Sequence, residues 1–312
     1  TGLNPLADLA SLKALERRLG DWRPDVVCGY TLKPAIYASI AARRAGVPRI
    51  VPMITGLGYA FLPARGLKAM AARAATRLLL RLALRHCDAA IFHNADDRGL
   101  LAQHGLLPRT LPTHVVSGSG VNLARYPQAP LHSFEGGLVF LMVARLVRYK
   151  GVVEYCRAAQ SVIASGGRAR FLLVGPEERG PAGITTEELK GYGAAVEHLG
   201  PRRDVAELMG RAHVYVLPSY GEGMPRTALE ALSVGRPVIT TDARGCRETV
   251  EEGVNGFLVP VGDAEALAEA MQRMLRRPDL IPQMAAASRV KAEQRFDVQL
   301  VNAAMRAALE LG

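Results

Sequence analysis

Short apolar runs alternate with longer amphipathic ones along this whole chain, and that alternation restricts the fold more than any other feature. A strand buried on both faces reads as a short β-branched run, whereas a helix lying on a sheet shows apolar residues three to four apart. When the two alternate, each helix carries the chain back to start a strand parallel to the last, which makes an α/β protein with mostly parallel sheets. In the first half the pattern predicts strands at Asp25–Cys28, Arg49–Met53, Ala89–Phe92 and His114–Val116, with helices over Lys33–Ala45, Leu67–His86 and Asp96–His104. Pro127–Gly137, with two prolines and a Gly-Gly, reads as an interdomain linker. The alternation then restarts. Strands are expected at Leu138–Val143, Ala169–Val174, Val214–Leu217, Pro237–Thr241 and Gly256–Val259. The helices expected among them are Gly151–Ala164, Asp204–Arg211 and one after Pro225, and Ala264–Leu275, Leu280–Gln294 and Val298–Leu311 close the chain.

At 312 residues the chain is too long for one ordinary core. The expected division is residues 1–127, residues 128–294, and a closing helix, 295–312, that can return to the first domain. Two doubly wound domains on either side of a cleft is the simplest architecture, and the cleft is where a ligand would bind. No apolar run approaches the ~20 residues that span a bilayer. The chain starts at Thr1, without Met, in what reads as the middle of a linker, which points to a fragment. Cys28, Cys87, Cys156 and Cys246 form no C-x-x-C pair, arguing for a reducing compartment and against a zinc site. The 39 basic and 29 acidic residues leave a formal charge of +10, which favours an anionic partner: nucleic acid, a phosphorylated substrate or an acidic membrane.

Two glutamates carry the chemistry. Val214–Leu217 is followed by Pro218-Ser-Tyr-Gly-Glu-Gly-Met-Pro-Arg-Thr-Ala-Leu-Glu230. Pro225 suits the first helical position, where no N–H is needed. Glu222 then lies in a loop at the carboxyl end of a strand, and Glu230 about two turns into the next helix. Ligands of open α/β sheets bind in that crevice, and the helix N-terminus beside it attracts phosphate. The plainer alternative is that Glu230 pairs with Arg226 at i,i+4 on a solvated face, with Glu222 an ordinary loop acid.

After Leu138–Val143 comes Ala144-Arg145-Leu-Val-Arg-Tyr-Lys150-Gly151. Arg145 and Lys150 could clamp phosphate oxygens or belong to a solvated basic loop. His93 ends an apolar strand, where a hydrogen-bonded structural histidine is expected over a general base. Arg73, Arg77, Arg81 and Arg85 recur every four residues and share one broad helix face, with Arg65 and Lys68 just ahead. That face is either solvated or docks on anionic lipid headgroups.

Taken together, Arg145, Lys150-Gly151, Glu222-Gly-Met-Pro225 through Glu230-Ala-Leu232, Gly235-Arg-Pro-Val-Ile-Thr-Thr-Asp242, Gly245-Cys-Arg-Glu-Thr-Val250 and Gly253-Val-Asn-Gly-Phe-Leu-Val-Pro260 resemble glycosyltransferase family 4, retaining enzymes of the GT-B fold. The resemblance covers essentially the whole second half, in order. Lys33-Pro34 and Ile54-Thr-Gly-Leu-Gly-Tyr-Ala60 are similar to a branch of bacterial transferases that add N-acetylgalactosamine to undecaprenyl-diphosphate-linked sugars.

The resemblance implies a nucleotide-sugar site in the second domain and an acceptor site in the first. Glu230 would take the ribose hydroxyls and Glu222 a sugar hydroxyl. Arg145 and Lys150 would neutralise the departing diphosphate, and Thr227 would meet its distal phosphate. Backbone N–H groups at Gly223 and Met224 would face the sugar, Leu199 would lie by the nucleobase, and Gly56 would approach the donor from the first domain. Retention is expected by front-face attack, so Glu222 is not a nucleophile, unlike a glycosidase carboxylate. The implied donor is a UDP-sugar, carrying an N-acetylhexosamine, and the acceptor a polyprenyl-diphosphate-linked sugar. The enzyme would sit in the cytoplasm on the inner face of the cytoplasmic membrane. No Asp-x-Asp triplet occurs, so neither metal nor cofactor is expected. Two positions depart from the family. Thr55 stands where many relatives have histidine, and Pro225, where many have glycine, removes an N–H. The first strands of the N-terminal domain and its glycine-rich turn do not appear, and a truncated chain is expected to be inactive. A nucleotide-sugar epimerase or hydrolase of the same architecture is the alternative, distinguished by turnover without acceptor. Nucleic-acid binding lacks basic residues interleaved with aromatics.

Overall fold

The computed structural model describes residues 5–61 and 66–310, so Arg65 lies outside them, as does the side chain of Lys68. The chain forms two compact units, dividing after Gly118 and again after Leu300, with residues from Val301 onward belonging to the first.

In the first unit, α1 (Pro5–Trp22) precedes β1 (Val26–Val27), α2 (Leu32–Arg44), β2 (Arg49–Ile50) and β3 (Met53–Ile54). Then come α3 (Leu67–Leu84), β4 (Ala90–Phe92), α4 (Ala95–Gln103) and β5 (Thr113–Val115). The sequence pattern did not anticipate α1, and the single strand expected over Arg49–Met53 is interrupted. Pro52 has no N–H for the ladder, yet its carbonyl still accepts from Ile91 at 2.9 Å. All pairings are parallel: β1 with β2, β3 with β4, and β4 with β5. The residues after the second boundary return here, where Ala308 packs with Val51, Met53, Ala89 and Ile91.

The second unit begins with β6 (Leu138–Val143), α5 (Val152–Ala164), β7 (Ala169–Val174), α6 (Thr186–Lys190), β8 (Glu197–His198) and α7 (Val205–Arg211). It continues through β9 (Val214–Leu217), α8 (Arg226–Val234), β10 (Val238–Thr241), β11 (Gly256–Val259), α9 (Ala264–Arg276) and α10 (Leu280–Lys291). A π-helical turn over Ala292–Phe296 separates α10 from α11 (Val298–Leu309), where the sequence pattern predicted α10 running on to Gln294. Six parallel strands lie in the order β11-β10-β9-β6-β7-β8. From β6 the chain winds one way and from β9 the other, so the order reverses between these two neighbours. Their carboxyl ends form the crevice that a doubly wound sheet offers a ligand.

The expected linker over 127–137 is not free-running. Ala129 N–H donates to Val234 O at 3.1 Å. The Arg236 guanidinium donates to the carbonyls of Ala129, Pro130, Met209 and Gly210. Only 1% of Arg236 is exposed, and burial lowers its pKa to about 10. Prolines and Gly-Gly mark where the chain turns, but a buried guanidinium needing acceptors fixes this segment to the second unit.

Candidate functional site

Two loops meet at the switch point. After β6 the chain passes Arg145 and a 3-10 turn, Arg148–Lys150, and enters α5 through Gly151 at φ 76°. A Cβ there would lie 2.0 Å from Pro218 O, so the close approach of the two loops requires glycine. Tyr149 O accepts from Tyr220 N–H at 2.8 Å, with Ser219 Oγ 3.1 Å away. The result is a direct pair: Lys150 Nζ lies 2.5 Å from Glu222 Oε1, with side chains 19% and 15% exposed. Ser219 Oγ donates to the same oxygen at 2.7 Å. Partial desolvation strengthens this attraction relative to a surface pair. From behind, Glu222 N–H donates to Arg244 O at 2.9 Å. Gly245 (φ 71°) permits the contact, since a Cβ there would fall 2.4 Å from Glu222 O and 2.5 Å from Gly223 O.

Pro225 caps α8 rather than opening it, which makes Glu230 the fifth helical residue, little more than one turn in. Arg226 does pair with Glu230, Nε to Oε1 at 3.4 Å, but the face is not solvated, because Glu230 is only 6% exposed. Burial raises its carboxyl pKa, opposed by the Tyr126 hydroxyl and by the guanidinium groups of Arg226 and Arg125. Thr227 Oγ1 accepts from Tyr215 OH at 2.6 Å. Met224 is half-buried against the core. Leu199, just past β8, is half-buried and donates through its N–H to Leu173 O at 2.9 Å. Tyr126 and Ser219 were not singled out from sequence, although the serine's place three residues before Glu222 was a usable signal.

Arg145 and Lys150 are each held by a glutamate. Arg145 Nη1 lies 2.8 Å from Glu178 Oε2, and its Nη2 donates to Tyr149 OH at 2.8 Å, with the side chain 51% exposed. Gly56 belongs to the first unit and follows β3.

His93, just after β4, is 3% exposed, and its Nε2 has no hydrogen-bond partner among the described residues. Burial lowers its pKa to about 4. The arginines of α3 also differ from expectation. Arg81 and Arg85 are exposed, but Arg73 and Arg77 are half-buried, with the Arg77 guanidinium 4.8 Å from the Phe61 ring centre. The outward face also carries Leu67, Met70, Leu78 and Leu82, 84%, 57%, 59% and 40% exposed. No helix among the described residues is long and apolar enough to cross a membrane.

Comparison with known proteins bears on this arrangement. Residues 1–119 match the glycosyl transferase 4-like domain family, and residues 137–277 match the glycosyl transferases group 1 family. The chain belongs to the family 4 glycosyltransferases. One relative is N,N'-diacetylbacillosaminyl-diphospho-undecaprenol alpha-1,3-N-acetylgalactosaminyltransferase of Campylobacter jejuni, 28% identical, with 88% of this chain and 73% of that protein covered. Another is UDP-Gal:alpha-D-GlcNAc-diphosphoundecaprenol alpha-1,3-galactosyltransferase of Escherichia coli, 27% identical, with 86% and 71% covered. Among solved structures, Anabaena HepE in complex with UDP and glucose superposes with a TM-score of 0.76 at 21% identity, covering 99% of this chain and 84% of that one. Sucrose-phosphate synthase from Thermosynechococcus elongatus gives 0.79 at 21% identity, covering 95% and 76%. This glycosyltransferase therefore has the GT-B fold and depends on a nucleotide sugar. Epimerases and hydrolases have no counterpart among these relatives.

Proposed function

We propose that this glycosyltransferase transfers an N-acetylhexosamine, with retention, from a UDP-sugar to a polyprenyl-diphosphate-linked acceptor during surface glycan assembly. The observation that carries the reading is the placement of two carboxylates in contrasting environments at the switch point of the second sheet. Glu230 is buried on the first turns of α8, and Glu222 is paired with Lys150 one loop away. Glu230 accepts the ribose hydroxyls, and Glu222 accepts a sugar hydroxyl. As the glycosidic bond breaks, negative charge collects on the diphosphate, and Lys150 and Arg145 stabilise it by turning from their glutamate partners. Thr227 meets the distal phosphate, the N–H groups of Gly223 and Met224 face the sugar, and Leu199 borders the base. The acceptor attacks from the face the diphosphate leaves, and the diphosphate takes its proton, so no enzyme nucleophile is needed. The counter-ions are side chains, and a chelator leaves turnover unchanged.

The lipid-linked acceptor rests on the activities named for the two bacterial relatives. A membrane-facing role for α3 rests on its exposed leucines beside Arg81 and Arg85, suited to the inner face of the cytoplasmic membrane. UDP should raise the melting temperature of the protein, and Glu230→Ala should remove that rise, since a charged hydrogen-bond acceptor contributes about 1.5–3 kcal/mol. A shift of the same size in the variant would sink the assignment of Glu230.

A further inference from the structure

Glu154, in the first turn of α5, is a buried acid with no role in the mechanism above. It is 9% exposed, and Oε2 has no hydrogen-bond partner among the described residues. Burying a carboxylate with one oxygen unsatisfied costs stability, so an acid at this place requires a reason. Its other oxygen, Oε1, accepts from Tyr220 OH at 2.8 Å. Tyr220 stands two residues before Glu222, in the loop that carries the sugar-facing carboxylate.

Tyr220 is the point at which that loop is tied to two elements at once. Its N–H donates to Tyr149 O, in the turn that carries Lys150. Its side chain crosses to α5 and lies against the turn after β11, where a Cβ on Gly262 would come 3.3 Å from the Tyr220 hydroxyl. Between Tyr220 and Glu222 stands Gly221, at φ 153° with open space around it, a backbone with no side chain to fix it. The loop's other ties act at Ser219 and at Glu222 itself. The Tyr220–Glu154 bond is the side-chain restraint at Tyr220, beside its backbone bond to Tyr149. It acts from a buried helix position. Burial, and then the neighbouring Glu154 carboxylate, push the Tyr220 phenol up to about 12, which keeps it a hydrogen-bond donor throughout the working range.

We propose that Glu154 and Tyr220 are positioning residues, which fix the Glu222 loop for the donor's sugar and leave its nucleotide unaffected. The inference rests on the assignment of Glu222 to the sugar and Glu230 to the ribose. Glu154 offers a hydrogen-bond acceptor to Tyr220 and touches nothing of the substrate. Loss of the bond releases the Glu222 carboxylate over a wider range of positions, and a misplaced partner loses its hydrogen bond to a sugar hydroxyl.

The test compares affinity for UDP-N-acetylgalactosamine with affinity for UDP, by calorimetry on the full chain. In Tyr220→Phe and Glu154→Ala the ratio of the two dissociation constants should move about tenfold against the sugar nucleotide, the worth of about one hydrogen bond. UDP itself should bind within about twofold of the unaltered protein. Glu154→Gln keeps an acceptor for the tyrosine and should restore the ratio. Tyr220→Phe removes a single oxygen and provides the readout if Glu154→Ala does not fold. An unchanged ratio in Tyr220→Phe, or equal weakening of UDP and sugar nucleotide, would overturn the proposal. A protein that binds neither compound before substitution would take down the donor-site reading and this inference with it.

Discussion

The two units solve the same packing problem with different reserves. The second has strands of up to six residues, one continuous hydrophobic core, and loops laced to each other at the switch point. The first has strands of two or three residues and three small clusters in place of one core. It leaves apolar side chains exposed on α3. A site that must hold a charged leaving group needs fixed dipoles and closely packed loops. A surface that meets an acceptor or a lipid needs accessible apolar and cationic groups instead. The contrast shows where the molecule concentrates its close packing.

The sharpest way to break this comparison is a methyl group in each unit. Gly151→Ala should cost about 4 kcal/mol or more in chemical denaturation, because its Cβ would meet the Pro218 carbonyl at 2.0 Å with φ at 76°. Gly46→Ala, at a comparable φ of 74° but with open space around it, should cost only about 1 kcal/mol. Equal costs would mean the second unit is no tighter than the first.

The next test concerns pH. His93 binds its proton with a pKa of about 4 when folded, against an ordinary value of 6.5. The unfolded chain therefore takes up a proton that the folded one refuses. Stability is fully present above pH 6.5 and is lost as pH falls toward 4, by an amount on the order of 3 kcal/mol. His93→Gln should flatten that dependence in urea midpoints measured across the interval, and an unaltered slope would refute the assignment. In the second unit the pKa of His213 is also lowered by burial, so it contributes with the same sign, but its Nδ1 already accepts from Val139 N–H at 2.8 Å.

A smaller effect is expected at the outer face of α3. Arg81→Glu with Arg85→Glu should lower co-sedimentation with anionic vesicles about tenfold while leaving neutral vesicles unaffected, since each cation near a charged surface contributes about 1 kcal/mol. Recovery equal to that of the unaltered protein would remove the membrane role. The smallest effect belongs to Arg170→Ala. Its pair with Glu197 is bidentate but 61% and 46% exposed, and its loss should change stability by about 0.5 kcal/mol or less.

Sequence by itself determined the alternation, the parallel sheets and the loops that hold the candidate site. Strand periodicity and turn residues are written in neighbours a few positions apart, so Val214–Leu217 and Gly256–Val259 were legible to the residue. Glu222, Glu230, Arg145 and Lys150 were singled out as candidates by their resemblance to a family's motifs, which also lie in short runs of neighbours. What they touch was not legible. Lys150 and Glu222 are 72 positions apart, and only the reversal of strand order between β6 and β9 makes them partners. Burial is likewise a property of the assembled sheet. Glu230 carries the i,i+4 arginine of a surface helix and is nonetheless enclosed, whereas Arg77, in a regular basic stripe, turns onto Phe61. The tethering of 127–137 by Arg236 and of Tyr220 by Glu154 are decisions of the same kind. Desolvation and long-range hydrogen bonds depend on which loops the folded sheet brings together, and no local pattern encodes that.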